Sequence, residues 1–137
     1  MNKNDLLNRL VDNGLDFLSR SIDELEQFPK YSVIHFYTAV ELFVKARLMS
    51  EHWSLVVSKR QEPDWNDFVA GDFQSVTLDE AAKRLQKIVR SGLSRQELDA
   101  FRDIGKHRNK MVHFFHEAHS VADDGLRETI ASPGLSC

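Results

Sequence analysis

The sequence lacks several features that would assign it to a specialised class of protein. It has one cysteine, Cys137, so no internal disulfide can form, which is typical of proteins in a reducing compartment. No apolar run approaches the roughly 20 residues that cross a bilayer, and the polar N-terminal residues do not resemble a secretion signal. We therefore expect a cytoplasmic protein without a membrane segment.

An excess of positive charge and an abundance of helix-breaking residues are also missing. The 137 residues include 18 Lys and Arg against 21 Asp and Glu, and the net charge of -3 excludes a uniformly basic surface for nucleic acid. Only six glycines and three prolines interrupt a chain that is 42% hydrophobic. This composition predicts one globular domain over residues 1–122, followed by a C-terminal turn and flexible tail over residues 123–137.

Apolar residues recur at helical spacing through the first half of the chain. The pattern predicts long helices over residues 4–27 and 30–58, with Pro29 between them. The apolar band of the second helix is wide, which indicates contact with several neighbours. A short turn is expected over residues 64–70.

Two capping patterns mark helices in the second half of the chain. Thr77 with Glu80, and Ser94 with Glu97, have the spacing of a capping box, and Gly92 is expected to end the helix between them. No stretch shows the alternation of a strand. The predicted fold is all-α, an antiparallel bundle of four to five helices.

Residues 106–119, KHRNKMVHFFHEAH, contain four of the six histidines. Within this stretch Arg108 falls in an otherwise apolar row of the last helix, which is expected to face the core and consists of Leu98, Phe101, Gly105, Val112 and Phe115. Gly105, one turn before Arg108, would allow close backbone approach or room for a ligand. A guanidinium there needs a partner or a wet cleft. Glu41, in the apolar band of the second helix, is the expected partner, although Lys45 follows Glu41 at the spacing of an ion pair. A purely structural pair of Arg108 and Glu41 remains the simpler alternative.

His113 follows Arg108 by five residues, so the two side chains point about 140° apart on a helix. Asn109 and His113 share one face with Lys106 and His116. A symmetric pair of such helices would bring both types of group together from two chains. The spacing therefore favours a homodimer with a composite site.

Two other interpretations of the histidine-rich stretch involve no catalysis. His113, His116 and His119 step by three, so adjacent pairs could chelate zinc, but all three cannot converge on one ion. No metal site and no cofactor are therefore predicted. The cations around Arg108 could equally form a solvated basic face.

The segment RNKMVH, late in a helical bundle, resembles the R-x4-6-H motif of the HEPN superfamily, and AVELFVKARL resembles that family's second helix. The resemblance covers roughly residues 5–120. It implies a dimerising helical bundle with two motifs at the interface. It also implies a metal-independent endoribonuclease of a toxin–antitoxin, phage-defence or CRISPR-associated system.

The resemblance also assigns roles to individual residues. Arg108 and His113 would be catalytic, Asn109 would be the polar residue of the motif, and Glu41 would be the supporting acid. The RNA backbone would be guided by Lys106, His107, Lys110 and His116. In one branch, an antitoxin modifies a tyrosine two positions after the motif histidine. Phe115 stands there in this chain, so that hydroxyl is missing, and the identity of any antitoxin or partner protein stays open.

The residue types suit RNA cleavage without a metal. One histidine can take the proton of the 2'-OH and a second can protonate the 5'-oxygen, since imidazole does both near neutral pH. Arginine offers a planar fork to the phosphate. The alternative function is a non-catalytic HEPN-like module that dimerises or binds nucleotide or RNA beside a partner protein.

Overall fold

A computed structural model describes residues 1–90 and 92–114. In these residues the chain forms an all-α bundle, as predicted. Its five α-helices are α1 (Lys3–Asp23), α2 (Pro29–Glu51), α3 (Trp65–Ala70), α4 (Leu78–Arg84) and α5 (Arg95–His113). The described part of the chain has no strand beyond a single antiparallel bridge between Val57 and Ser75. None of its helices is both long and apolar enough to cross a bilayer.

Helices α1 and α2 form an antiparallel hairpin. Gly14 makes their close packing possible, since a Cβ atom there would lie 2.9 Å from the ring of Phe43. At the other end of the hairpin, the Ser32 hydroxyl donates to the Ser21 carbonyl at 2.6 Å. Helix α1 ends four residues before the predicted limit, because the chain turns ahead of Pro29, which occupies the first position of α2 as expected.

Helix α2 is the centre of the bundle and packs against α1, α4 and α5. This arrangement confirms the prediction that its wide apolar band contacts several neighbours. The helix ends at Glu51, not at residue 58, because His52 is extended and its side chain accepts the amide of Ser54. A short 3₁₀ turn over Trp53–Val56 follows.

The middle of the chain closes one end of the bundle. The predicted turn at residues 64–70 is α3, whose Trp65 and Phe68 pack against Trp53 and Phe73 in an aromatic cluster. Thr77 caps α4 by accepting the amide of Glu80. The reciprocal half of the predicted capping box does not form, because the Glu80 carboxylate accepts hydrogen bonds from the Lys59 amide and from Arg84.

The end of the third predicted helix differs from the expectation. After α4 the chain continues in a π turn over Leu85–Val89, and the C-cap is Arg90 in the left-handed region at φ 58°. The expected terminator, Gly92, lies beyond this point, because the wider π turn ends the helix earlier.

Helix α5 begins at the predicted capping box, in which Ser94 and Glu97 each accept the other's backbone amide. It packs against α2 and α4. The bundle core combines residues of α2, α4, the segments between them and the π turn, namely Val44, Leu48, Met49, Val56, Val57, Phe68, Val76, Leu78, Ala81 and Leu85. Residues 115–137, including the predicted tail, lie outside the described residues.

Candidate functional site

Arg108 lies where α5 crosses α2. Its side chain is half-buried, and its guanidinium carbon Cζ sits 4.6 Å from the centre of the Tyr37 ring. Gly105, one turn earlier on α5, is buried, and a Cβ there would lie 2.9 Å from Tyr37 Cε2. The glycine expected to give room for close approach therefore admits the ring of Tyr37.

The prediction of an ion pair between Arg108 and Glu41 is wrong, because Glu41 is paired with Lys45. The Lys45 ammonium group donates to Glu41 Oε2 at 2.7 Å and to the Ser75 hydroxyl at 2.8 Å. Lys45 is one helical turn from Glu41 and is only 7% exposed, so it needs an anionic partner within reach. The carboxylate of Glu41 is therefore paired with Lys45, at the i,i+4 spacing that the sequence also indicated.

A second carboxylate near the crossing is also paired. Arg102 Nε donates to Asp79 Oδ1 at 2.5 Å and joins α5 to α4. This hydrogen bond is the main reason that the pKa of Asp79 lies below its ordinary value. Lys83, at 3.5 Å, adds a further positive charge beside the same carboxylate.

The phenol of Tyr37 is influenced by its burial and by the charges of Glu41, Arg108 and Asp79. Burial is the largest cause that raises the pKa of its phenol, and the negative charges of Glu41 and Asp79 act in the same direction. The charge of Arg108 opposes them. The phenol is therefore neutral near pH 7 and lies between an arginine and two paired acids.

The guanidinium of Arg108 is incompletely satisfied. Its Nε atom is buried and has no hydrogen-bond partner among the described residues. None of the ion pairs in residues 1–90 and 92–114 includes this arginine. Because a guanidinium carries five N–H donors, the crossing retains capacity for the oxygens of an anion.

His113 is the last residue of α5, and its side chain is exposed. Asn109 and Lys106, expected on the same face, are exposed as well, while Lys110 is half-buried. The helix turns His113 away from Arg108, so one chain does not bring the two groups together.

The apolar row predicted for α5 changes near its end. Met111 is 2% exposed, whereas Val112, which was expected in the core, is 49% exposed. The buried residue that follows Arg108 on α5 is thus Met111, three positions later, and not Val112, four positions later. Phe114, directly after the helix, is 77% exposed.

His107 lies in a different environment from the other motif residues. It lines an apolar cavity of about 670 Å³ between α1, α2 and α5, together with Leu18, Ile22 and Ile104. Neither Arg108 nor His113 borders this cavity. The role of His107 in guiding the RNA backbone stays a prediction. The last candidate, His116, lies outside the described residues.

The structure also brings in residues that the sequence analysis missed. A polar cavity of about 280 Å³ has the cations Lys59, Arg60 and Lys83 and the acid Asp79 in its wall. Tyr37 was missed too, although it precedes Glu41 by one helical turn in the same row, which is the signal that could have identified it.

Across residues 1–90 and 92–114, no three His, Cys, Asp or Glu side chains are grouped so that they could hold a metal ion. Two of the three histidines considered for zinc, His116 and His119, lie outside those ranges. No protein-family model, curated protein or solved structure matches the chain. Function is therefore inferred from the site itself.

Proposed function

We propose that this protein is an endoribonuclease of the HEPN type, active without a metal at a composite site between two copies of the chain. Its substrate is RNA, and its role is that of a toxin or phage-defence effector restrained by a partner protein. The catalytic groups are Arg108 and His113, and Asn109 lies on the exposed face of α5 beside them.

One observation carries the proposal: Arg108 is half-buried without a carboxylate partner, although two carboxylates, Glu41 and Asp79, act on the adjacent phenol of Tyr37. Glu41 is taken by Lys45 and Asp79 by Arg102. A desolvated guanidinium without an anionic partner is costly unless an external anion completes its hydrogen bonds. A phosphodiester would supply the negative charge and the paired oxygens that the guanidinium of Arg108 needs as a partner.

The proposed reaction is attack by the RNA 2'-oxygen on the adjacent phosphorus. One His113 takes the proton of the 2'-OH, and the other His113 of the dimer protonates the departing 5'-oxygen. Arg108 stabilises the additional negative charge on the non-bridging oxygens. The bond to the 5'-oxygen breaks, and the products are a 2',3'-cyclic phosphate and a 5'-OH.

A second copy of the chain is required because α5 turns Arg108 and His113 apart. The exposed apolar residues Val112 and Phe114 stand on either side of His113 in the sequence. Apolar surface of this kind favours a protein contact. Burial of these residues against the same helix of another copy would bring each His113 near the opposite Arg108.

Cations outside the crossing of α2 and α5 would continue the path of the RNA backbone. Lys59 and Arg60 are exposed in the wall of the polar cavity that also contains Asp79 and Glu80. Each would contribute through phosphate contact, so that binding weakens as salt rises. On α5, the exposed Lys106 could contribute in the same way.

A second candidate function is a non-catalytic module that dimerises and binds RNA or nucleotide beside a partner protein. The exposure of His113 favours this candidate, because no contact within the described residues holds its imidazole at a defined position relative to Arg108. Such a module would use Arg108 for phosphate binding and would have no chemical need for His113.

The deciding experiment incubates the purified protein with tRNA and mRNA in EDTA, beside His113→Ala. We expect cleavage by the wild type with cyclic-phosphate ends, and a decrease of about 100-fold or more in the variant, since general acid–base groups contribute that much. His52→Asn, which changes an exposed histidine at the end of α2 and keeps an acceptor for the Ser54 amide, serves as the control and should cleave at nearly the wild-type rate per folded molecule.

Other outcomes separate the candidates. RNA that stays intact with a folded dimer would reject the ribonuclease and leave the binding module. Cleavage that His113→Ala retains would also reject the assigned chemistry. Cleavage that EDTA abolishes would show that a metal takes part.

A further inference from the structure

Tyr37 has contacts that set it apart from an ordinary core aromatic residue. The guanidinium carbon of Arg108 lies 4.6 Å from its ring centre, within the roughly 6 Å over which a cation is attracted to an aromatic face. An aromatic ring attracts the cation without cancelling its charge, whereas a carboxylate would neutralise it. This contact therefore holds Arg108 and leaves its charge available to a ligand.

The position of the ring is set by the backbone of α5. A Cβ atom on Gly105 would lie 2.9 Å from Tyr37 Cε2 and 3.0 Å from the Tyr37 hydroxyl oxygen, closer than side-chain atoms normally approach. Gly105 and Arg108 are one helical turn apart on the same face. Gly105, which makes room for the ring of Tyr37, and Arg108, which packs on that ring, thus lie on the same helix.

The ring of Tyr37 orients the guanidinium of Arg108, but no carboxylate in the described part of the chain neutralises its charge. Glu41 and Asp79, the acids that act on Tyr37, are paired with Lys45 and Arg102. The Nε atom of Arg108 is buried and without a partner in the described part of the chain. A side-chain hydrogen bond from Arg108 to the phenol also acts on Tyr37. Because Nε is covered, we expect the remaining N–H groups of the guanidinium to meet the phosphate.

We propose that Tyr37 is a positioning residue for Arg108: its ring, admitted by Gly105, holds the guanidinium so that the terminal nitrogens receive the phosphate in the transition state. This inference rests on the proposed ribonuclease function. Arginine has a long side chain with many rotamers, and a guanidinium already held against a ring loses less freedom when the phosphate binds. Misplacement of such a group reduces the rate more than it reduces ground-state binding.

The test compares Tyr37→Leu with Tyr37→Phe in RNA cleavage, with kcat and KM measured separately. Tyr37→Leu removes the aromatic face and should lower kcat by about tenfold or more with little change in KM. Tyr37→Phe keeps the ring and should retain kcat within a factor of about three. Phe68→Leu makes the same kind of change in the aromatic cluster, so it controls for lost stability and should leave kcat nearly unchanged.

A second measurement does not depend on activity. In ¹⁵N NMR spectra, the Nε–H signal of Arg108, assigned by its absence from Arg108→Lys, should be displaced by the ring current of Tyr37. We expect the displacement to persist in Tyr37→Phe and to disappear in Tyr37→Leu. If the signal moves as expected but kcat of Tyr37→Leu equals that of the wild type, the ring holds the arginine without serving the reaction, and the inference is overturned.

A DNA oligonucleotide separates failure of this inference from failure of the proposed function, since it lacks the 2'-OH and cannot be cleaved. If wild type cleaves no RNA, the ribonuclease proposal falls, and the affinity for the oligonucleotide decides the role of Tyr37. Binding about two- to threefold weaker in Tyr37→Leu but unchanged in Tyr37→Phe and Phe68→Leu would support positioning of a phosphate-binding arginine, since ground-state binding responds less than the rate. Equal binding by all four proteins would overturn it.

Discussion

Lys45 and Arg108 are two cations that the fold draws away from solvent, and their surroundings differ. Lys45 is 7% exposed and donates to a carboxylate oxygen of Glu41 and to the hydroxyl of Ser75. Arg108 is half-buried over the ring of Tyr37, and its Nε atom has no partner among the described residues. Lys45 lies on α2 and Arg108 packs against Tyr37 of the same helix, but only the lysine is paired with a carboxylate.

The difference separates a structural charge from one that can receive a ligand. Desolvation is costly for any cation, and a carboxylate at 2.7 Å compensates Lys45 within the chain. An aromatic face compensates only part of the cost for Arg108 and leaves its net charge in place. The cation whose hydrogen bonds are incomplete is therefore the one that can bind a phosphate.

The largest effect is expected when the compensation of Lys45 is removed. Glu41→Gln deletes the negative charge and leaves the ammonium buried without a counter-ion, so the free energy of unfolding should fall by about 2–3 kcal/mol. Urea denaturation measures it. Glu51→Gln is the matched control, because Glu51 pairs with Arg47 at the same spacing but both side chains are 45% exposed, and it should cost less than about 0.5 kcal/mol.

Equal losses in the two variants would contradict the structural role of the Lys45–Glu41 pair. The same variant also tests the role of supporting acid that the family resemblance gave to Glu41. If that carboxylate serves only Lys45, the activity per folded molecule of Glu41→Gln should match that of the wild type. A large decrease in activity per folded molecule would restore Glu41 to the catalytic site.

A smaller effect should distinguish the crossing that holds Arg108 from the crossing of α1 and α2. Gly105→Ala and Gly14→Ala each place a Cβ 2.9 Å from a ring, that of Tyr37 in one case and Phe43 in the other. Overpacking costs about 1–3 kcal/mol, and the better helix propensity of alanine returns up to about 1 kcal/mol. Both variants should therefore lose about 1 kcal/mol of unfolding free energy in thermal or urea denaturation.

Only Gly105→Ala should also impair RNA cleavage, because it displaces the ring beneath Arg108. Gly14→Ala is its control for stability and for helix packing. If the two variants cleave RNA equally well at equal stability, the position of the Tyr37 ring does not matter to the site.

Local features of this fold were predictable from the sequence, and contacts between helices were not. The start of α5 follows from Ser94 and Glu97, and the Lys45–Glu41 pair from a spacing of four, because these interactions lie within one turn of helix. The π turn after α4 left no signal in residue spacing. The prediction of an Arg108–Glu41 pair was wrong because Lys45, one turn from Glu41 on the same helix, binds that carboxylate.

The candidate site was predictable only in part, for the same reason. Arg108, as a charge in an apolar row, could be identified from helical periodicity alone. Its contact with Tyr37 depends on how α2 and α5 cross, and periodicity within either helix does not fix that register. The Arg102–Asp79 pair that joins α4 to α5 is likewise a tertiary contact.

The smallest effect concerns the phenol of Tyr37 in alkaline solution. Burial, then the charge of Glu41, raises its pKa in the folded protein, and Arg108 opposes them only in part. The unfolded chain thus loses the proton first, near pH 10. Stability from this group is complete below that pH and falls as the pH rises towards the folded-state pKa. Tyr37→Phe should lack this contribution to the alkaline decline in unfolding free energy.

Urea denaturation at several pH values between about 8 and 11 measures the contribution as the difference between the two proteins. Tyr31→Phe, which changes an exposed phenol, is the control and should follow the wild type. If Tyr37→Phe also runs parallel to the wild type, the phenol is not held among the acids as described. Arg108 would then compensate them fully, and its charge would be less available to a phosphate than the comparison with Lys45 indicates.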